Sequence, residues 1–145
     1  MTTAGQKLVA GAVPGERIAT TIRTSNSSGV TTSETSIDTV TFAAVSGRTY
    51  RITYDASVKT TVAADRFYVR IREDSSSGTL LRYNQRYLHT NSAAWPVHVE
   101  AEWTASSTGS KTIVGTIQRA AGTGTGDIEA DATNPSYLYV DYIRG

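Results

Sequence analysis

The sequence predicts an all-β protein, an antiparallel β-sandwich of the jelly-roll kind with about eight strands. Apolar and polar residues alternate along residues 50–59 and again along 66–72. A period of two places the two sets on opposite faces of a strand. The chain is also rich in Thr, Ser and Tyr and poor in Leu, with Gly spread throughout, which is typical of strands joined by polar turns. Both observations favour one domain of half-buried strands.

Residues 1–22 are predicted to form an extended arm, because Gly5, Gly11, Pro14 and Gly15 interrupt any helix. One hypothesis is that scattered apolar side chains anchor this arm on a partner; the alternative is a terminus that contacts nothing. The candidate anchoring residues are Leu8, Val9, Val13, Ile18 and Ile22. Residues 23–36 are rich in Ser and Thr and are predicted to be a linker. The sandwich domain is therefore expected at residues 37–145.

Turn signals separate the predicted strands of this domain. The short segment 60–65 joins strands 50–59 and 66–72 and predicts that they form an antiparallel pair. The closing strand carries apolar residues on both faces, which predicts either a central position in a sheet or a subunit contact. The predicted strands are residues 37–44, 50–59, 66–72, 79–88, 97–103, 111–119, 127–133 and 137–143.

The charges of the chain are balanced. Fourteen Lys and Arg residues oppose 13 Asp and Glu residues, giving a net charge of +1, so neither nucleic acid nor a membrane surface is an expected partner. There is no Cys, which excludes disulfides and thiolate chemistry. Eleven of the cations are Arg, the residue favoured where charges pair in fixed geometry at interfaces. This preference for Arg indicates assembly.

Basic and aromatic residues are densest along two neighbouring predicted strands. Guanidinium and phenol groups together can bind a sugar, a phosphate or an acidic protein surface. Contacts between strands and between subunits are the favoured interpretation. The group consists of Arg66, Tyr68, Arg70, Arg72, Arg82, Tyr83, Arg86 and Tyr87.

Three polar side chains, His98, Glu100 and Glu102, share one face of a predicted strand. Successive members stand about 7 Å apart, too far to share one metal ion easily. We therefore expect Glu100 and Glu102 to pair with Arg from another strand or subunit.

The remaining motifs do not predict catalysis. The Gly-rich segment 122–126 lacks the following helix of a phosphate-binding motif and predicts a hairpin loop instead. No Gly-x-Ser-x-Gly sequence accompanies the two His residues. The expectation is a protein without enzyme activity, metal or cofactor.

From residue 48 onward the chain resembles a β-domain common in structural proteins of tailed bacteriophages and prophages of actinobacteria. The resemblance lies in YRITY at 50–54, DRFYVRIRED at 65–74, SGTLL at 77–81, WTASSTGSKT at 103–112 and ATNPSYLYVDYI at 132–143. AGQKL at 4–8 also resembles the short leader of phage appendage proteins. The resemblance implies a trimer built on a sandwich or jelly-roll domain, serving in a tail or fibre or decorating the head.

The sequence thus predicts a non-enzymatic structural protein of a bacteriophage virion, a homotrimeric decoration or short appendage anchored by its N-terminal arm. Its expected partners are its own copies and other virion proteins, the major capsid or tail proteins. The alternative is a carbohydrate-binding module at a tail tip or fibre, which holds a host-surface glycan through the Arg–Tyr group or through loops 89–96 and 120–127. An esterase or glycosidase is a more distant alternative.

Overall fold

A computed structural model of the chain describes residues 13–145 and contains no helix in that range. No membrane-crossing helix is therefore found among these residues. The nine strands of the described part are β1 (Arg17–Arg23), β2 (Thr35–Ala44), β3 (Thr49–Thr60), β4 (Asp65–Glu73), β5 (Leu80–Leu88), β6 (Trp95–Thr104), β7 (Gly109–Ala121), β8 (Gly126–Ile128) and β9 (Ser136–Arg144).

The strands form two antiparallel sheets that pack face to face. One sheet has the order β1-β9-β3-β6, with the short β8 also paired to β3, and the other has the order β2-β7-β4-β5. Most connections cross from one sheet to the other, whereas β4 and β5 form a hairpin within one sheet. This is the double-sheet arrangement of a jelly roll. The predicted fold class is confirmed.

The core lies between the inner faces of the sheets. Ile52 and Tyr54 of β3 and Phe67 and Val69 of β4 have no exposed surface, and burying each such side chain stabilises the fold by about 1.5–3 kcal/mol. The packing is close enough to demand a glycine opposite Tyr54. A Cβ at Gly115 would lie 2.6 Å from the Tyr54 ring.

The predicted pairing of residues 50–59 with 66–72 is wrong. β3 pairs with β6, β8 and β9, whereas β4 pairs with β5 and β7, so the segment between β3 and β4 crosses from one sheet to the other. The physical reason is that each strand has one apolar face, and these faces bury each other across the core better than side by side. Alternation specifies which face is buried, but not which strand lies alongside.

Part of the predicted arm of residues 1–22 is a strand in the described structure. Residues 17–23 are strand β1, which pairs with β9 from Arg17 opposite Asp141 to Arg23 opposite Ser136. This strand satisfies the backbone groups along one side of β9. β9 therefore lies between β1 and β3, the central position that was one of its two predicted alternatives.

The predicted linker of residues 23–36 packs against the sandwich. Its Val30 is 2% exposed and forms an isolated bridge with Gly126, and β2 begins inside it at Thr35. A buried apolar side chain and paired backbone hold this segment in place, which a Ser/Thr-rich composition did not indicate.

Candidate functional site

The two long edges of the sandwich differ in how they are closed. At one edge, β1 and β2 are joined by hydrogen bonds and an ion pair, and we call this the closed edge. At the other edge, β5 and β6 are the last strands of their sheets. They are joined there by a hydrogen bond of 3.3 Å from the Asn84 side chain to the His98 carbonyl. We call this the open edge.

Next to the open edge, the outer surface of β4 and β5 carries tyrosines and arginines, and we call it the Tyr–Arg face. Pairing places Arg66 opposite Tyr87 and Arg70 opposite Tyr83. The Arg70 guanidinium lies 4.3 Å from the centre of the Tyr68 ring, and the Tyr68 and Tyr83 rings meet edge to face at 5.6 Å. The side chains of Tyr83 and Tyr87 are 54% and 38% exposed, so their rings are open to a partner.

Two members of the predicted Arg–Tyr group lie elsewhere. Arg82 and Arg86 pair opposite the buried Ile71 and Phe67, so they point toward the open edge rather than onto the Tyr–Arg face. The Arg86 guanidinium lies 5.4 Å from the Trp95 ring centre. Because side chains alternate between the two faces of a strand, Arg82 and Arg86 lie on the opposite face of β5 from Tyr83 and Tyr87, their neighbours in sequence.

The open edge contains a groove between β5 and β6. It has a volume of about 450 Å³ and is lined by Arg82, Tyr83, Asn84, His98, Val99 and Glu100. Three aromatic side chains lie along the same edge, beyond the groove. His89 lies 4.6 Å from Tyr87 and 5.5 Å from Trp95, centre to centre. Aromatic and guanidinium groups thus line the edge from the groove to the loop after β5.

Sequence reasoning missed Glu34, which it placed in the linker. The Glu34 carboxylate accepts hydrogen bonds from the Arg72 guanidinium at 2.6 and 2.9 Å and from the Thr116 hydroxyl at 2.5 Å. It also lies 3.1 Å from the Arg70 guanidinium. Burial alone would raise the pKa of Glu34, but the bonds from Arg72 and Thr116 and the two positive charges outweigh it and lower the pKa. Glu34 therefore holds Arg70 and Arg72 in fixed positions on the sheet.

The predicted carboxylates Glu100 and Glu102 lie on the outer face of the other sheet. Glu100 lies 3.6 Å from the Arg51 guanidinium, and Glu102 lies 2.8 Å from that of Arg144. The hydrogen bond from Arg144 lowers the pKa of Glu102. Neighbouring His98 lies 2.5 Å from the Asp55 carboxylate. Within residues 13–145, no cluster of three or more His, Asp or Glu side chains is arranged to hold a metal ion.

A cluster around a buried carboxylate closes the opposite edge. Asp38 is 4% exposed and accepts hydrogen bonds from Arg23 and from the Tyr54 hydroxyl, both at 2.8 Å, and from the Ser136 hydroxyl at 3.4 Å. Burial, and then the charge and hydrogen bond of Asp38, raise the pKa of Tyr54 well above its usual range. The cluster joins β1, β2, β3 and β9, so it links both sheets.

The Gly-rich loop does surround an anion, which is the chain's own Asp65. This carboxylate has no exposed surface and accepts hydrogen bonds from the backbone of Thr123 at 3.0 Å and of Gly124 at 3.1 Å. Gly122 has φ +99°, and a Cβ there would lie 1.8 Å from an Asp65 oxygen. The prediction of a hairpin loop is wrong, since the loop connects β7 and β8, which belong to different sheets.

The two ends of the sandwich also differ. Residues 13–16 lie beside the end of β9, where the Gly15 amide donates to the Tyr142 carbonyl at 2.6 Å. β5 and β7 end at the opposite end, so loops 89–94 and 122–125 lie there together. We call these the terminal end and the loop end.

Of the predicted anchoring residues, those that the structure describes lie at the terminal end and within β1. Val13 is 45% exposed at the terminal end, and Leu8 and Val9 lie outside the described residues. Ile18 packs against the core and Ile22 is 56% exposed, both within β1.

No family model matches the chain, and no curated protein matches it in sequence. Several solved structures are similar at low identity. They include the infectious bursal disease virus VP2 subviral particle (TM-score 0.45, 9% identity, 88% of this chain and 38% of that one). They also include a β-1,3-glucan binding CBM6 from Bacillus halodurans (TM-score 0.41, 12% identity, 93% of each chain).

An α-amino acid ester hydrolase is also similar (TM-score 0.42, 9% identity), and 72% of this chain covers 25% of that one. The chain therefore spans between a quarter and two fifths of the length of the virus protein and the hydrolase.

Proposed function

We propose that the chain is a non-enzymatic structural protein of a bacteriophage virion, a homotrimeric decoration or short appendage. Residues N-terminal to β1 attach it to the particle, and the loop end faces away from the attachment. Its partners are its own copies and the major capsid or tail proteins.

The separation of the two ends is the observation that carries this proposal. The backbone that precedes β1 leaves the sandwich at the terminal end, beside Tyr142. Loops 89–94 and 122–125 lie at the other end of the strands. A protein bound to a larger particle through its N-terminal residues would therefore direct these loops outward.

The surface also supports assembly. Tyr and Arg are enriched at the centres of protein interfaces, and both are concentrated on the Tyr–Arg face. β5 is a nine-residue edge strand with exposed Leu80, Tyr83 and Tyr87. The last strand of a sheet has backbone groups without a strand partner, and such an edge invites pairing with another chain. Contacts between copies would cover this strand.

Immunogold labelling of intact phage particles with an antibody against residues 37–145 tests the proposal. Gold on the head would identify a decoration, and gold at the tail an appendage. Particles that carry no label, together with a purified protein that stays monomeric, would contradict it. A variant that lacks residues 1–12 tests the attachment. It keeps β1, so it should fold normally, and we expect it to be absent from particles.

The aromatic rings at the loop end favour a second candidate, a carbohydrate-binding module. Sugar rings stack on aromatic side chains, and Tyr87, His89 and Trp95 form a continuous row with Arg66 and Arg86 beside it. This row lies close to loop 89–94, which falls within residues 89–96, one of the two loops predicted for the alternative function.

Binding of the purified protein to cell-wall polysaccharide of the host tests this second candidate. Trp95→Ala and Tyr83→Ala should abolish binding, whereas Tyr139→Ala, on the outer face of the other sheet, should leave it unchanged. If the unaltered protein binds no cell-wall fraction, the carbohydrate-binding hypothesis is wrong.

A further inference from the structure

Three arginines of β4 and β5 have no carboxylate partner within the described residues. Arg66 lies against the Tyr87 ring and Arg86 against the Trp95 ring. Within residues 13–145, none of Arg66, Arg82 and Arg86 forms an ion pair with a carboxylate. Arg70 and Arg72, by contrast, are paired with Glu34. Arg82 and Arg86, which we call the basic surface, therefore carry uncompensated positive charge at the open edge, and Arg66 adds a further positive charge beside it on the Tyr–Arg face.

The outer face of the sheet β1-β9-β3-β6 has the opposite balance, and we call it the acidic face. Its cations are all paired, through Arg17 with Asp141, Arg51 with Glu100, Lys59 with Glu129 and Arg144 with Glu102. Two further carboxylates, Asp55 and Asp127, share this face, with His98 beside Asp55. The acidic face therefore has more carboxylates than Lys and Arg.

We propose that copies of the chain associate head to tail, the basic surface of one copy docking on the acidic face of the next. The inference rests on the proposed function, because it names the contact that would hold the homo-oligomer together. Complementary charge selects this partner surface and its orientation. The exposed rings of Tyr83 and Tyr87, with Leu80, supply the apolar part of the contact.

The position of the two surfaces favours a closed ring. They meet at the open edge, where Arg82 and Glu100 line the same groove, rather than lying on opposite sides of the molecule. A head-to-tail contact between adjacent surfaces rotates each copy relative to the previous one. Contacts of this kind form a ring when the repeated rotation closes and a helical filament when it does not, and the proposed homotrimer is the closed case.

Charge reversal in the full-length chain tests the inference by analytical ultracentrifugation. Arg82→Glu with Arg86→Glu should raise the dissociation constant at least about 100-fold, since like charges then face each other. Glu100→Arg with Glu102→Arg should do the same. All four substitutions in one chain restore opposite charges and should restore association. Thr41→Glu, on the exposed outer face of β2 and outside both surfaces, is the control and should associate like the unaltered protein.

The outcomes separate the inference from the function on which it rests. If the unaltered protein is a monomer at all concentrations, the homo-oligomer itself is wrong. If it is an oligomer but either double variant stays assembled, or the fourfold variant stays dissociated while its circular dichroism shows a folded sandwich, the contact lies elsewhere. In that case the proposed head-to-tail contact is wrong, but the proposed virion function is not contradicted.

Discussion

The closed and open edges of the sandwich use the same kinds of side chain in opposite ways. At the closed edge, Arg23 and Tyr54 both direct their polar groups at the buried carboxylate of Asp38. At the open edge, Arg86 and Tyr87 lie against other rings, and no carboxylate pairs with Arg86 within the described residues. Arginine and tyrosine therefore join the sheets at one edge and remain available to a partner at the other.

The two edges should therefore contribute to different properties, the closed edge to folding stability and the open edge to binding of a partner. A buried charged group is costly unless it is paired, so losing a partner at the closed edge should destabilise the fold. An exposed ring or guanidinium contributes little to folding, so changes at the open edge should affect binding instead. Substitutions matched in chemistry but placed at the two edges can test this comparison.

The largest effect is expected for Asp38→Asn. The substitution leaves the Arg23 guanidinium without its counter-charge, and we expect a loss of about 3 kcal/mol in the free energy of unfolding. Urea unfolding followed by circular dichroism measures it. The control is Asp55→Asn, which removes a carboxylate that is 42% exposed and should cost less than about 1 kcal/mol. Equal losses in the two variants would contradict the comparison.

Glu34→Gln should have the next largest effect, about 2 kcal/mol at neutral pH, because the carboxylate accepts charge-assisted hydrogen bonds from Arg72. The pKa of Glu34 is lowered in the folded state. Its contribution is therefore complete above the pKa of the unfolded chain and is lost as the pH falls through the folded pKa.

The stability difference between the unaltered protein and the Glu34→Gln variant should accordingly shrink as the pH falls below the ordinary carboxyl range. Urea midpoints measured at several pH values between neutral and acidic give this difference directly. A difference that grows on acidification would mean that the pKa of Glu34 is raised rather than lowered.

Tyr54→Phe should cost about 1 kcal/mol, since it removes one hydrogen bond to Asp38 while the buried ring is kept. The same change at the exposed Tyr83 has no such bond to remove and serves as the control. Thermal unfolding of both variants compares them. A stability of Tyr54→Phe equal to that of the unaltered protein would show that Arg23 and Ser136 alone satisfy Asp38.

The smallest effect on folding is expected for Tyr83→Ser, within about 0.5 kcal/mol, because the ring is 54% exposed. The same variant should lose association between copies or binding of polysaccharide, whichever the open edge performs. Sedimentation and pull-down with cell-wall material measure these alongside urea unfolding. Loss of stability in place of binding would assign the open edge a structural role.

Several features of the fold could be predicted from local sequence alone. The positions of β2 to β7 and of β9 and the jelly-roll class follow from alternation and turn residues, because both depend on neighbours in the chain. The predicted strand 127–133 is wrong in extent, since only Gly126–Ile128 (β8) pairs with β3. The Tyr–Arg face could also be predicted as a group, since β4 and β5 are consecutive strands of a hairpin. Its members Tyr68 and Tyr83 come together through a short connection.

The tertiary structure alone decided the contacts between distant segments. Glu34 meets Arg70 and Arg72, Asp38 meets Arg23 and Tyr54, and Asp65 meets the Gly-rich loop. It also assigned β3 and β4 to different sheets and added β1 beside β9. The physical reason is that a period of two specifies a buried face, whereas the neighbour of a strand and the partner of a buried charge depend on how the whole chain packs.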